Sequence, residues 1–134
     1  MKLFFDENFS QHLARGMHEL QRGRPNEGFE VSHIVEAMGK RGAPDEEWIP
    51  HVAQTHGVVI TQDFEIHRTR HLAELCKQYK LGVFFFRPPK GNPYGYWKII
   101  KWVLESWGEI KSNSLDTELP FEFEVTPRGG VRRI

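Results

Sequence analysis

Three short and almost unbroken apolar runs constrain this chain more than anything else in it: Lys2–Phe5 (KLFF), Val58–Thr61 (VVIT) and Leu81–Phe86 (LGVFFF). Their length and their β-branched and aromatic content mark strands, and the lack of polar alternation marks strands covered on both faces. Helical patterns lie between them. Continuous apolar strands alternating with helices predict an α/β fold around a mostly parallel sheet. In such sheets functional groups collect beyond the carboxyl ends of the strands. Asp6 follows the first run and Asp63 follows the second. If those two strands are neighbours, the two acids share one crevice.

The rest of the chain fills in around this frame. Asn8 or Ser10 can cap a helix carrying Leu13, Met17 and Leu20 at helical spacing. Arg22–Gly28 and Gly39–Pro44 read as loops, and Phe29–Ile34 alternates like a half-buried strand. Asp45 opens a helix with Trp48, Ile49, Val52 and Ala53 inward. Pro50 lies inside it, so either this helix bends or the true helix starts at Pro50. A polar, basic helix is expected from about Ile66 to Tyr79. After the PPKGNPYG loop comes a helix with Trp97, Ile100, Leu104 and Trp107 as its stripe. The tail LPFEFEV reads as an edge strand able to form a hairpin with Val131–Ile134.

The 134 residues suit one domain, 1–134, and the single cysteine, Cys76, excludes an intrachain disulfide and a multi-cysteine zinc site. The expected location is cytoplasmic: MKLFFDENFS is too polar for a signal peptide, and no run approaches membrane-helix length. Net charge is zero but unevenly spread, at −5 over residues 1–65, +7 over 66–101 and −2 over 102–134. An acidic half beside a basic segment suits a cation site next to an anion-binding surface, although charge runs often serve solubility alone.

The acids available to a cation are Asp6, Glu7, Asp45, Glu46, Glu47, Asp63 and Glu65. Mg²⁺ takes oxygen ligands and commonly uses only one or two carboxylates directly, keeping waters for the rest. Such an ion sharpens a water into a nucleophile and neutralises charge on a phosphodiester. Taken singly, each acid has a plainer role: Asp6 or Asp45 as a helix cap, Asp63 in a turn. Three acids at three sheet-end positions point to a shared site.

MKLFFDEN, then GAPDEEW, then VVITQDFE, resembles the minimal PIN-like nucleases, the group that contains VapC-type toxins of toxin–antitoxin pairs. The resemblance covers roughly residues 1–90. It implies a three-layer α/β/α PIN-like fold and Mg²⁺- or Mn²⁺-dependent RNA cleavage. By position, Asp6, Asp45 and Asp63 would bind metal, with Glu65 a further ligand, and Asn8 would orient the first acid or a water. Glu65 stands where an aspartate is common in the family, one methylene longer.

The basic segment supplies the expected RNA contacts: Arg68 and Arg87 first, then Lys90, with stacking from Tyr94 or Tyr96. His67 and His71 lack a third zinc ligand at helical spacing, and Cys76 reads as a small core residue. Trp102 with Ile99 is expected either to form an apolar patch for association or to pack against the C-terminal strand. Residues 94–134 would thus carry a homodimer contact or an antitoxin contact. Two other functions compete. One is a PIN-like shell that has lost catalysis and only binds a partner protein. The other is a phospho-acceptor receiver domain, which would want a Thr–Lys pattern after the later strands, and that pattern is absent.

Overall fold

The structure is a computed structural model and describes residues 1–63, 70–89, 91, 93–128 and 130–134. Its strands are β1 (Lys2–Phe5), β2 (Glu30–His33), β3 (Val58–Thr61), β4 (Gly82–Phe86), β5 (Phe121–Val125) and β6 (Val131–Arg133). Its helices are α1 (Gln11–Arg22), α2 (Ile34–Met38), α3 (Asp45–Ala53), α4 (Arg70–Gln78) and α5 (Tyr96–Asp116). One sheet takes all six strands in the order β2-β1-β3-β4-β5-β6. Every pairing is parallel except β5 with β6.

Alternate residues of the central strands feed two separate cores. Leu3, Phe5, Val58, Ile60, Phe84 and Phe86 meet Leu13 and Met17 of α1 and Trp102, Val103, Trp107 and Ile110 of α5. Phe4, Val59, Val83 and Phe85 meet Ile34, Trp48, Ile49 and Val52 of α2 and α3, and Cys76 of α4. This is a three-layer α/β/α architecture, and covering both faces explains the unbroken apolar runs. Each fully buried Phe, Ile or Leu contributes roughly 1.5–3 kcal/mol.

Several expectations change. β5 is not the edge, because β6 pairs along it and leaves only a three-residue strand outermost. The hairpin with Val131–Ile134 is present in that form. α3 begins at Asp45 and runs through Pro50, giving up one backbone hydrogen bond rather than starting later. The expected stripe on α5 is wrong in part: Trp97 is 77% exposed and Leu104 48%. The buried face is Trp102, Val103, Ser106, Trp107, Ile110 and Ser114. Trp102 is buried and its Nε1–H donates to the Thr126 carbonyl at 2.8 Å, so it packs against the C-terminal strands and forms no surface patch. Leu20 is likewise exposed, and Gln21 takes the inward position on α1.

The chain runs from β1 outward to β2, then returns past β1 to β3. The sheet order therefore reverses between β1 and β3, which makes those strands neighbours and opens a crevice beyond their carboxyl ends.

Candidate metal centre

Asp6 is the first residue after β1. Its N–H donates to the Ile60 carbonyl at 3.1 Å, so it continues the β1–β3 ladder by one step. Its side chain points to the α3 side, and the residue is only 8% exposed. The Asn8 N–H donates to Asp6 Oδ1 at 3.0 Å, and Asn8 Nδ2 donates to Oδ2 at 3.4 Å. The Thr61 hydroxyl donates to Oδ2 as well. Asn8 thus meets the first acid through both its backbone and its side chain, in a tight local turn. His33 pins the next residues: its Nε2–H donates to the Phe9 carbonyl at 2.8 Å, while its Nδ1 accepts the Val35 N–H at 3.1 Å. A ring that donates from one nitrogen and accepts at the other is neutral.

Asp63 leaves β3 two residues later. Its N–H donates to Thr61 Oγ1 at 2.8 Å, so one hydroxyl links the backbone of one acid to the carboxylate of the other. Asp45 enters from the first turn of α3, where its Oδ1 accepts the Trp48 Nε1–H at 2.9 Å. Glu46 instead meets His71 at 3.0 Å, and Glu47 meets Lys40 at 3.1 Å. Of the three consecutive acids, Asp45 is the one that lines the cleft. Glu7 ties the Gly39–Pro44 loop to this edge, its Oε1 accepting the Gly42 N–H at 2.6 Å.

Asp6, Glu7, Asn8, Asp45, Trp48 and Asp63 together line a cleft of about 250 Å³ at the switch point. Burial pushes the Asp6 carboxyl up from 3.8 to about 6. The hydrogen bonds from Thr61 and Asn8 pull the other way, and the charges of Asp63 and Glu7 add to the rise. Among the described residues no cationic side chain pairs with Asp6. A buried carboxylate beside further acids, with no cation of its own, fits a hard divalent ion, and the donors around the cleft are oxygens. Among the described residues no three His, Cys, Asp or Glu side chains form a ready-made cage.

Glu65, Arg68 and Lys90, and His67 with them, lie outside the described residues. Arg87 follows the carboxyl end of β4, half-exposed, with Nη1 3.9 Å from Glu124 Oε1. Cys76 is buried and its thiol is pushed up to about 12 by that burial, which removes it as a nucleophile. Sequence reasoning missed Thr61, Trp48 and His33 as supports of the site. The Thr of VVITQD, two residues before the acid, was the available signal.

Residues 1–88 match the PIN-like domain family. The chain belongs to that family. The match takes in β1 through β4 and every acid of the cleft, and the family points to a nuclease-type activity. Among curated proteins and solved structures nothing matches the chain. Within the PIN-like frame, α5, β5 and β6 lie beyond the matched span. Among the described residues, no helix is long and apolar enough to cross a membrane.

Proposed function

We propose that this PIN-like domain is a Mg²⁺- or Mn²⁺-dependent endoribonuclease that hydrolyses RNA phosphodiester bonds. The observation that carries the reading is Asp6: a buried carboxylate with no cationic partner among the described residues, at the switch point, facing the same cleft as Asp45 and Asp63. Asp6 and Asp63 would hold the ion, with Asp45 from α3 and Glu65 as further ligands. The ion would supply an activated water and neutralise charge on the phosphate. This chain's own part is to fix the acids. Thr61 and Asn8 orient Asp6, Trp48 orients Asp45, and the Glu7–Gly42 bond closes the loop over the cleft. Cys76, buried in the core, is not placed to act as a nucleophile.

The finer reading is the toxin of a toxin–antitoxin pair, acting in the cytoplasm, with an antitoxin protein as partner. It rests on the DEN, GAPDEEW and TQDFE segments. A short neighbouring reading frame whose product abolishes cleavage would support it, and an unaffected nuclease would not. The activity itself is tested by incubating purified protein with RNA in Mn²⁺ or in chelator. Cleavage that needs the ion and disappears in Asp6→Asn and Asp63→Asn supports the nuclease. Cleavage that persists in chelator contradicts it, and intact RNA in every condition favours the binding-only shell.

A further inference from the structure

The outward face of α5 carries more apolar surface than a solvated helix needs. Trp97, Leu104 and Leu115 are 77%, 48% and 62% exposed. Scattered singly, exposed apolar residues are ordinary. These three are aligned. A helix turns about 100° per residue, so offsets of seven, eleven and eighteen residues return to within about 20° of the starting direction. Trp97, Leu104 and Leu115 therefore form one stripe along the 21-residue helix, and Gly108 lies on the same line. The buried face, with Trp102, Val103, Ser106 and Ile110, is turned away from it.

The stripe is its own reverse. Trp97 and Leu115 stand nine residues on either side of Ser106, and Leu104 and Gly108 stand two on either side. Two such helices laid end for end set Leu104 opposite Gly108 and Trp97 opposite Leu115. A Cβ at Gly108 meets nothing within 4 Å, so packing inside the protomer does not demand the glycine. In a helix interior it costs stability relative to alanine. Facing a leucine, it supplies the hole for that knob.

Charge follows the same symmetry. On one flank of the stripe Lys98 and Lys101 occupy the first half of the helix, and Glu105, Glu109 and Asp116 the second. Some of them have local contacts: Lys98 Nζ lies 4.2 Å from the Tyr94 ring centre, Lys101 3.8 Å from Glu105, and Glu109 accepts the Val131 N–H. None of these contacts alters the order of charge along the helix. A two-fold axis across the stripe brings each basic half against the other copy's acidic half. Parallel pairing sets like charge against like.

We propose that two copies of this chain form a homodimer by pairing their α5 helices antiparallel, about a two-fold axis at Ser106. α5 covers the opposite face of the sheet from α3, so this surface lies across the sheet from the acid cleft. The proposal is independent of the nuclease reading and concerns residues beyond the family-matched 1–88.

Sedimentation velocity of the full chain over a range of concentrations tests it, and a monomer–dimer equilibrium is expected. Leu104→Glu buries an unpaired charge in the dimer and should weaken it at least roughly tenfold. Tyr79→Ser alters another exposed ring, just after α4 in the other helix layer, and should change nothing. Gly108→Leu separates association from folding. A better helix former should raise the melting temperature of the dilute monomer. The same side chain fills the place of the other copy's Leu104 and should weaken the dimer roughly tenfold. A short bifunctional thiol reagent reads the orientation, since Cys76 is buried. Trp97→Cys combined with Leu115→Cys should crosslink two chains. Either substitution alone should not, because its two copies stand about 27 Å apart in the antiparallel pair. A chain that is monomeric at every concentration overturns the proposal. So does a dimer that Leu104→Glu and Gly108→Leu both leave intact, and so does ready crosslinking of either single variant, which would mean a parallel pair.

Discussion

The Thr61 hydroxyl joins the two acids of the cleft, accepting the Asp63 N–H at 2.8 Å and donating to the Asp6 carboxylate. Replacing it with the near-isosteric valine takes the acceptor from a partly buried N–H and one donor from a buried carboxylate. Thr61→Val should cost roughly 1–3 kcal/mol of stability. It should also weaken Mn²⁺ binding, because Asp6 would lose its orientation and ionise less readily. Thr61→Ser should restore both. Urea unfolding and Mn²⁺ titration of the three proteins check this, and a Thr61→Val protein indistinguishable from the parent would show that the bridge does nothing.

The Asp6 carboxyl gives metal-free protein a specific pH dependence. Its native value of about 6 lies above its usual 3.8, so the folded state binds this proton more tightly than the unfolded chain does. The stabilising contribution of the protonated form is greatest at low pH and declines as pH rises through that interval. Ionised Asp6 thus costs on the order of 3 kcal/mol near neutral pH. The stability of metal-free wild type minus that of Asp6→Asn should fall between about pH 4 and pH 6. A difference that stays flat, or rises with pH, would show that Asp6 ionises freely in the fold.

The tryptophans of α5 should divide sharply. Trp102 is buried against Phe86 and Tyr94, and Trp97 projects from the first turn. Trp102→Ala should cost roughly 3–5 kcal/mol, and Trp97→Ser should stay within about 0.5 kcal/mol. Chemical denaturation measures both. Comparable losses at the two positions would contradict the orientation of α5.

The sheet was legible because three apolar runs have no polar alternation, and a strand covered on both faces leaves no other pattern. The positions of Asp6 and Asp63 after two such runs suggested a shared crevice; β1 and β3 are neighbours in the sheet and both acids line one cleft. The faces of the helices were harder. On α5 the buried stripe includes Ser106 and Ser114, whose hydroxyls disguise it; Ser114 satisfies its own by donating to the Ile110 carbonyl at 2.7 Å. On α1 the inward place taken by Gln21 looked polar. Its amide, however, accepts the Trp107 Nε1–H at 3.0 Å and donates to Glu27 at 2.7 Å. That network spans residues far apart in sequence, which no local periodicity reveals. The ion pairs of Glu124 were hidden for the same reason: Arg87 and Arg132 reach its carboxylate only because β4, β5 and β6 lie side by side.

The central claim is that Asp6 and Asp63 hold a divalent ion. Thermal melts of wild type, Asp6→Asn and Asp63→Asn, with and without Mn²⁺, test it most directly. Without metal, both variants should melt at the wild-type temperature or above, because each substitution removes a repelling charge from the cleft. Wild type should gain stability on adding Mn²⁺, rising with its concentration, since only the folded state gathers the acids. The variants should gain much less. Variants that melt lower than wild type without metal, in a protein whose melting temperature ignores Mn²⁺, would make Asp6 and Asp63 ordinary turn residues and contradict the account.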